Sequence, residues 1–143
     1  MSLNRLPVQV LVWLSLSMAV LFSGCWVHDS YERAKQVRTY TDLQVKALEI
    51  EAARDRGELT VRRLRELAAK DGTVDSWGHE FRLAWRSTGL SVDSYVLLSP
   101  GADGELDVDT IDVYFDADVQ GVAGKPDSDI VFRDGEAIRN AGK

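Results

Sequence analysis

Cysteine occurs once in this 143-residue chain, histidine twice and proline three times. With one cysteine there is no intramolecular disulfide. A small exported domain made from this chain needs another source of stability, and a bound metal ion is one such source. His28 and His79 lie far apart, so clustered-histidine zinc chemistry is excluded, and each is read as a surface or hydrogen-bonding group. No G-x-S-x-G, H-E-x-x-H or phosphate-loop pattern occurs, so no enzymatic activity is expected. Positive charge is also in deficit: the formal net charge is −6. That balance argues against nucleic acid as a partner and against electrostatic docking on anionic lipid. The length allows one domain with a modest core.

Long apolar runs are missing as well. The longest, Val8 to Phe22, has the length of a signal-peptide h-region, about 15 residues, and falls short of a comfortable membrane span. Arg5 and the free N-terminus precede it as a short positive region. The lone cysteine closes the run Leu21-Phe22-Ser23-Gly24-Cys25, the form of a bacterial lipoprotein signal in which the cysteine is lipidated and becomes the new N-terminus. Phe22 stands where such signals usually carry Leu, with Leu21 beside it. The expected organisation is a signal peptide over 1–24, a lipidated tether over 25–30 and one domain over 31–143. Removing 1–24 takes away one charged residue, Arg5. Several acyl chains, each CH₂ contributing ~0.8 kcal/mol, hold a protein stably on a membrane. Trp26 rather than Asp follows Cys25. By the enteric sorting rule this favours the outer over the inner membrane, with the domain facing the periplasm.

Beyond the tether, Val37, Tyr40, Leu43, Ala47 and Ile50 recur at spacings of three and four, predicting a helix from Tyr31 to Arg56 with Gly57 as its stop. Thr60 is placed to cap a second helix to about Lys70, with Val61, Leu64, Leu67 and Ala68 inward. Phe81, Leu83 and Trp85 then alternate with Glu80, Arg82 and Ala84 as a strand. Gly89 marks a turn, Tyr95 to Ser99 a second strand, Thr110 to Phe115 a third, and Ile130 to Phe132 a short fourth. The tail from Asp134 has no readable period. Helices first and strands after predict an α+β fold. Arg54, Arg56, Arg62, Arg63 and Arg65 gather around the helix–helix link, either as a solvated face or as a docking surface for an acidic partner.

Three segments carry a resemblance. Asp75-Ser76-Trp77-Gly78-His79-Glu80-Phe81 resembles the Asp-Pro-Trp-Gly-Asn-Pro-Tyr/Phe segment of type II secretion major pseudopilins, component G. Tyr95 to Gly104, ending Ser99-Pro100-Gly101-Ala102-Asp103-Gly104, resembles that family's strand and following Ser-x-Gly-x-Asp-Gly. Asp127-Ser128-Asp129-Ile130 resembles its closing Asp-Asp-Ile. The resemblance implies a long N-terminal helix packed on a small antiparallel sheet, with calcium tying down the C-terminal loop, and the second short helix read from the residues joins it on that sheet. It implies a structural or interaction role in secretion or pilus machinery. The chain departs from the family in lacking a prepilin-peptidase site and the apolar half-helix that builds filaments, and its loop from Asp103 to Asp129 is longer and more acidic.

In that loop the resemblance implies calcium bound by Asp103 and by one or both of Asp127 and Asp129, with carbonyls near Leu98 and Ser99 filling other positions. Calcium takes six to eight oxygen ligands, and carboxylates with main-chain carbonyls suit it. A second, local pattern is EF-hand-like: Asp116, Asp118 and Gln120 at alternating positions, then Gly121 and Asp127. The blander reading of the same residues is a solvated acidic loop. The alternative function is a calcium- or ligand-binding envelope lipoprotein unrelated to secretion.

Overall fold

The computed structural model describes residues 8–116 and 128–138, with side chains described from residue 27 onward. It divides into two compact units, Met1–Ala34 and Lys35–Lys143. The described part of the first unit is helical, the opening stretch of α1 (Val8–Asp55). Residues 27–30, read from sequence as a tether, continue this helix, and Asp29 pairs with Arg33 one turn on at 3.1 Å. No helix among the described residues is long and apolar enough to cross a membrane.

The second unit holds the rest of α1, then α2 (Val61–Ala69), β1 (Arg82–Thr88), β2 (Ser91–Ser99), α3 (Val113–Asp116), β3 (Ile130–Arg133) and β4 (Glu136–Ile138). The four strands form one antiparallel sheet in the order β1-β2-β3-β4. The α+β class follows from the sequence pattern and is what the chain adopts.

In this unit α1 buries Thr39, Leu43, Lys46, Ala47, Ile50 and Ala53. Val37, expected on this stripe, is 66 % exposed. It lies two residues from Thr39, roughly 200° around the helix, and so faces outward. The end of α1 is set by Gly57, whose φ of 71° lets its N–H reach Arg54 O (2.8 Å) while the Glu58 N–H reaches Ala53 O (2.9 Å). Thr60 caps α2 as expected, its Oγ1 accepting from the Arg63 N–H at 3.2 Å. At the other end of α2, the buried Lys46 ammonium donates to the carbonyl of the cap residue Lys70. Burial lowers the Lys46 pKa against the raising effect of Asp71, Asp42 and Glu49.

Alternation along the strands assigns side chains to two faces. Leu83, Trp85, Tyr95, Leu97, Ile130 and Phe132 face the helices, where they meet Leu43, Ala47, Ile50, Leu64 and Leu67. Tyr40 packs on Phe132 with ring centroids 5.3 Å apart. Val96, Leu98, Val131 and Ile138 face the other way and are covered by Leu106, Val108, Ile111, Tyr114 and Phe115 from the acidic segment. Each side chain of this size removed from water contributes roughly 1.5–3 kcal/mol.

Two further expectations need correction. Thr110 to Phe115 is not a strand. Its N–H groups bond three residues back (Val113 to Thr110, Tyr114 to Ile111, Phe115 to Asp112, 3.1–3.2 Å), so it is a helical turn. Ile111, Tyr114 and Phe115 reach the sheet by that spacing rather than by alternation. The unreadable tail contains β4, joined to β3 by Asp134-Gly135. Both turn residues have positive φ (50° and 83°), as a two-residue hairpin turn demands. Asp134 is pinned there: Oδ1 accepts from the Tyr95 N–H and the Arg54 guanidinium (2.9 Å each), and Oδ2 accepts from the Ser94 hydroxyl (2.6 Å).

Candidate functional site

The first two resembling segments, far apart in sequence, meet in the fold through Asp75. This carboxylate is buried. Its Oδ1 accepts from the Trp77 and His79 N–H groups (2.9 Å each), and Oδ2 accepts from the Ser99 hydroxyl (2.6 Å). Ser99 Oγ in turn accepts from the Gly101 N–H at 3.2 Å. The His79 ring closes the join, with Nδ1 2.9 Å from Gly101 O. Gly104 (φ 74°) packs so tightly on that ring that a Cβ would lie 2.9 Å from Nε2. The Ser76 N–H is bound by the buried Thr39 hydroxyl of α1 at 3.0 Å. Asp75, Ser99 and His79 are thus engaged in holding two loops together and to α1. Trp77, Phe81 and Trp85, half-buried, pack on the helix-side core.

The second cluster lies under the acidic segment. Asp129, immediately before β3, is 0 % exposed. It exchanges hydrogen bonds with Asp107: the Asp107 N–H donates to Asp129 Oδ2 (3.1 Å) and the Asp129 N–H donates to Asp107 Oδ2 (2.9 Å). The Tyr114 hydroxyl donates to the same Oδ2 at 2.5 Å. Asp129 Oδ1 is buried with no hydrogen-bond partner. Burial pushes the Asp129 carboxyl up to about 6. The charges of Asp107 and Asp103 push the same way, against the bonds from Tyr114 and the Asp107 amide. Burial, the hydrogen bond to Asp129 and its charge all raise the Tyr114 hydroxyl. The turn that carries Tyr114 is capped by Arg133, whose guanidinium donates to the carbonyls of Tyr114 and Phe115 (3.1 Å each).

The other sequence-predicted positions are distributed as follows. Cys25 lies on the helical backbone of α1. Leu98 and Ser99 belong to β2, opposite Val131 and Ile130. Asp103 is exposed, and its Oδ1 accepts from the Glu105 N–H at 3.0 Å. Asp116 is held at both oxygens by Arg86 (2.9 and 2.8 Å), and that hydrogen-bonded pairing keeps its carboxyl below the usual range. Asp118, Gln120 and Asp127 lie outside the described residues. The arginines around the helix–helix link are matched by the chain's own groups. Arg54 pairs with Glu51 and Asp134, Arg56 with Glu58, and Arg62 and Arg63 with Glu66, while Arg65 stacks 4.6 Å above Trp85.

Asp107 and Tyr114 are the members of this cluster that sequence reasoning did not select. Tyr114 sits where a strand was expected, and Asp107 is one carboxylate among many. Among the described residues no group of three or more His, Cys, Asp and Glu is placed to hold a metal ion. One atom does suit a cation: the orphaned Oδ1 of Asp129, a buried carboxylate oxygen that a hard ion would satisfy. No family profile, curated protein or solved structure matches this chain.

Proposed function

We propose that this chain is a non-enzymatic, lipid-anchored envelope protein. Its folded domain faces the periplasm and resembles that of a type II secretion pseudopilin. The anchor is Cys25, supported by the Leu21–Cys25 run and the apolar stretch before it. Trp26 favours the outer membrane. The domain's work is structural or interactive within a secretion or pilus machine, and calcium steadies its acidic segment at Asp129. Asp103, Asp127 and main-chain oxygens are the further candidate ligands. The ion would supply charge neutralisation and a cross-link within the loop.

The observation that carries the structural reading is the engagement of Asp75, Ser99 and His79. The residues that bear the resemblance join two loops. The orphaned Oδ1 of Asp129 supports the cation. Mass spectrometry of the mature protein, with membrane fractionation, tests the anchor. A lipidated N-terminal Cys25 is expected, and Cys25→Ser should release the protein from membranes or leave the precursor uncut. A soluble wild-type protein that begins at another residue would refute it.

A further inference from the structure

The geometry points to Tyr114 as a positioning residue that sets Asp129 to meet a cation through one oxygen only. This rests on the reading that the acidic segment binds calcium. Oδ2 of Asp129 already accepts two hydrogen bonds, from the Tyr114 hydroxyl at 2.5 Å and the Asp107 N–H at 3.1 Å. A carboxylate oxygen has two lone-pair sites in its plane, so Oδ2 has no remaining in-plane site for an ion. Oδ1 has no partner and is shut away from water. The group cannot swing to exchange its oxygens without breaking the bond to Tyr114. The Asp129 main chain is fixed as well, its N–H held by Asp107 Oδ2 and its next residue paired in β3.

Tyr114 is itself held. Its ring is 1 % exposed and packs with Val96, Leu98, Val131 and Ile138. Arg133 donates to its carbonyl and to that of Phe115. The hydroxyl is therefore presented by a turn of the acidic segment that is itself anchored on the sheet, and that anchoring aligns the Asp129 carboxylate. Partners that orient a ligating side chain matter nearly as much to the ion as the ligand does, and their loss typically weakens affinity 10- to 100-fold.

Calcium titration of the full chain in detergent, read by calorimetry, is the test, with Tyr114→Phe as the variant. Phenylalanine keeps the ring in its pocket and removes only the hydroxyl. The variant's Kd for calcium should rise about 10- to 100-fold. Its melting temperature in chelator should fall by what the lost bond to Asp129 contributes, so both Kd values are measured well below the lower transition. Equal Kd values for the two proteins would overturn the role of Tyr114 and leave the calcium reading intact. A wild type that binds no calcium would overturn the calcium reading and this inference with it. If Tyr114→Phe does not fold, the wild type decides alone. Calcium should then perturb a buried tyrosine in the ultraviolet difference spectrum, and an unperturbed spectrum on saturation would overturn the inference.

Discussion

The two faces of the sheet are covered by different means. On one face, α1 and α2 lay down residues at regular helical spacing, and the contacts are almost wholly apolar: Leu43, Ala47, Ile50, Leu64 and Leu67 against Tyr95, Leu97 and Phe132. On the other, an acidic segment places scattered apolar residues on Val96, Leu98, Val131 and Ile138. That cover is fastened by polar ties: Tyr114 and Asp107 to Asp129, Arg133 to two carbonyls, and Arg86 to Asp116. Apolar contact needs only area and shape. Polar ties need the right protonation state, and one buried oxygen of this face, Asp129 Oδ1, has no hydrogen-bond partner. The helical face should therefore respond to changes in volume, and the loop face to pH and cations.

The comparison breaks most severely in the helical core. Phe132→Ala should destabilise by about 3–5 kcal/mol and Leu64→Ala by about 2–5 kcal/mol in denaturant unfolding, since each leaves a cavity in a closed layer. Neither effect should depend on calcium. Asp75→Ala comes next. It removes an acceptor of three hydrogen bonds at the join of two loops, and a loss of roughly 1.5–3 kcal/mol is expected per strong charged bond left unmade, with partial compensation by water. Unfolding curves that match the wild type would show that this join is dispensable.

Acidity separates the faces more finely. The Asp129 carboxyl titrates near 6 in the fold, above its ordinary value of 3.8. Between those values the native state holds a proton that the unfolded chain releases. This group's contribution to stability is therefore most favourable at low pH, falls as pH rises through the window, and leaves a full penalty above about 6. Asp129→Asn should remove that slope. In metal-free buffer the variant should gain on the order of 2 kcal/mol relative to the wild type between pH 4 and pH 7. Parallel stability profiles for the two proteins would contradict this. The smallest effect is at the exposed rim. Arg86→Ala loses the pair with Asp116 and the stacking 4.6 Å from Phe115, and should lower the unfolding midpoint only slightly. Its effect should add to that of Leu64→Ala, because the two sites share no partner.

The difference between the faces also explains how much could be read from residues alone. The helical face was legible because its pattern is periodic: Leu43, Ala47, Ile50, Leu64 and Leu67 were all foreseen as inward. Val37 was the exception, since a three-residue step to Tyr40 tolerates either side of the stripe. The loop face was legible only in part. Ile111, Val113 and Phe115 alternate by chance, and the segment folds as a turn because Ile111 and Tyr114, three apart, reach one surface together. The signal for β4 was present in Asp134-Gly135, a strong hairpin dipeptide, but the strand after it is only three residues long. The pairing of Asp75 with Ser99, and of Asp107 with Asp129, depends on residues 22 to 24 positions apart, and local pattern carries no such information.

Amide hydrogen exchange of the full chain, in calcium and in chelator, tests most directly whether the loop face is the cation-dependent one. Calcium should slow exchange in residues 101–116 and 128–138, with the amides of Asp107 and Asp129 most affected. The amides of α2 should change only as far as global unfolding carries them. Identical exchange in both buffers, or protection confined to the helices, would contradict the account.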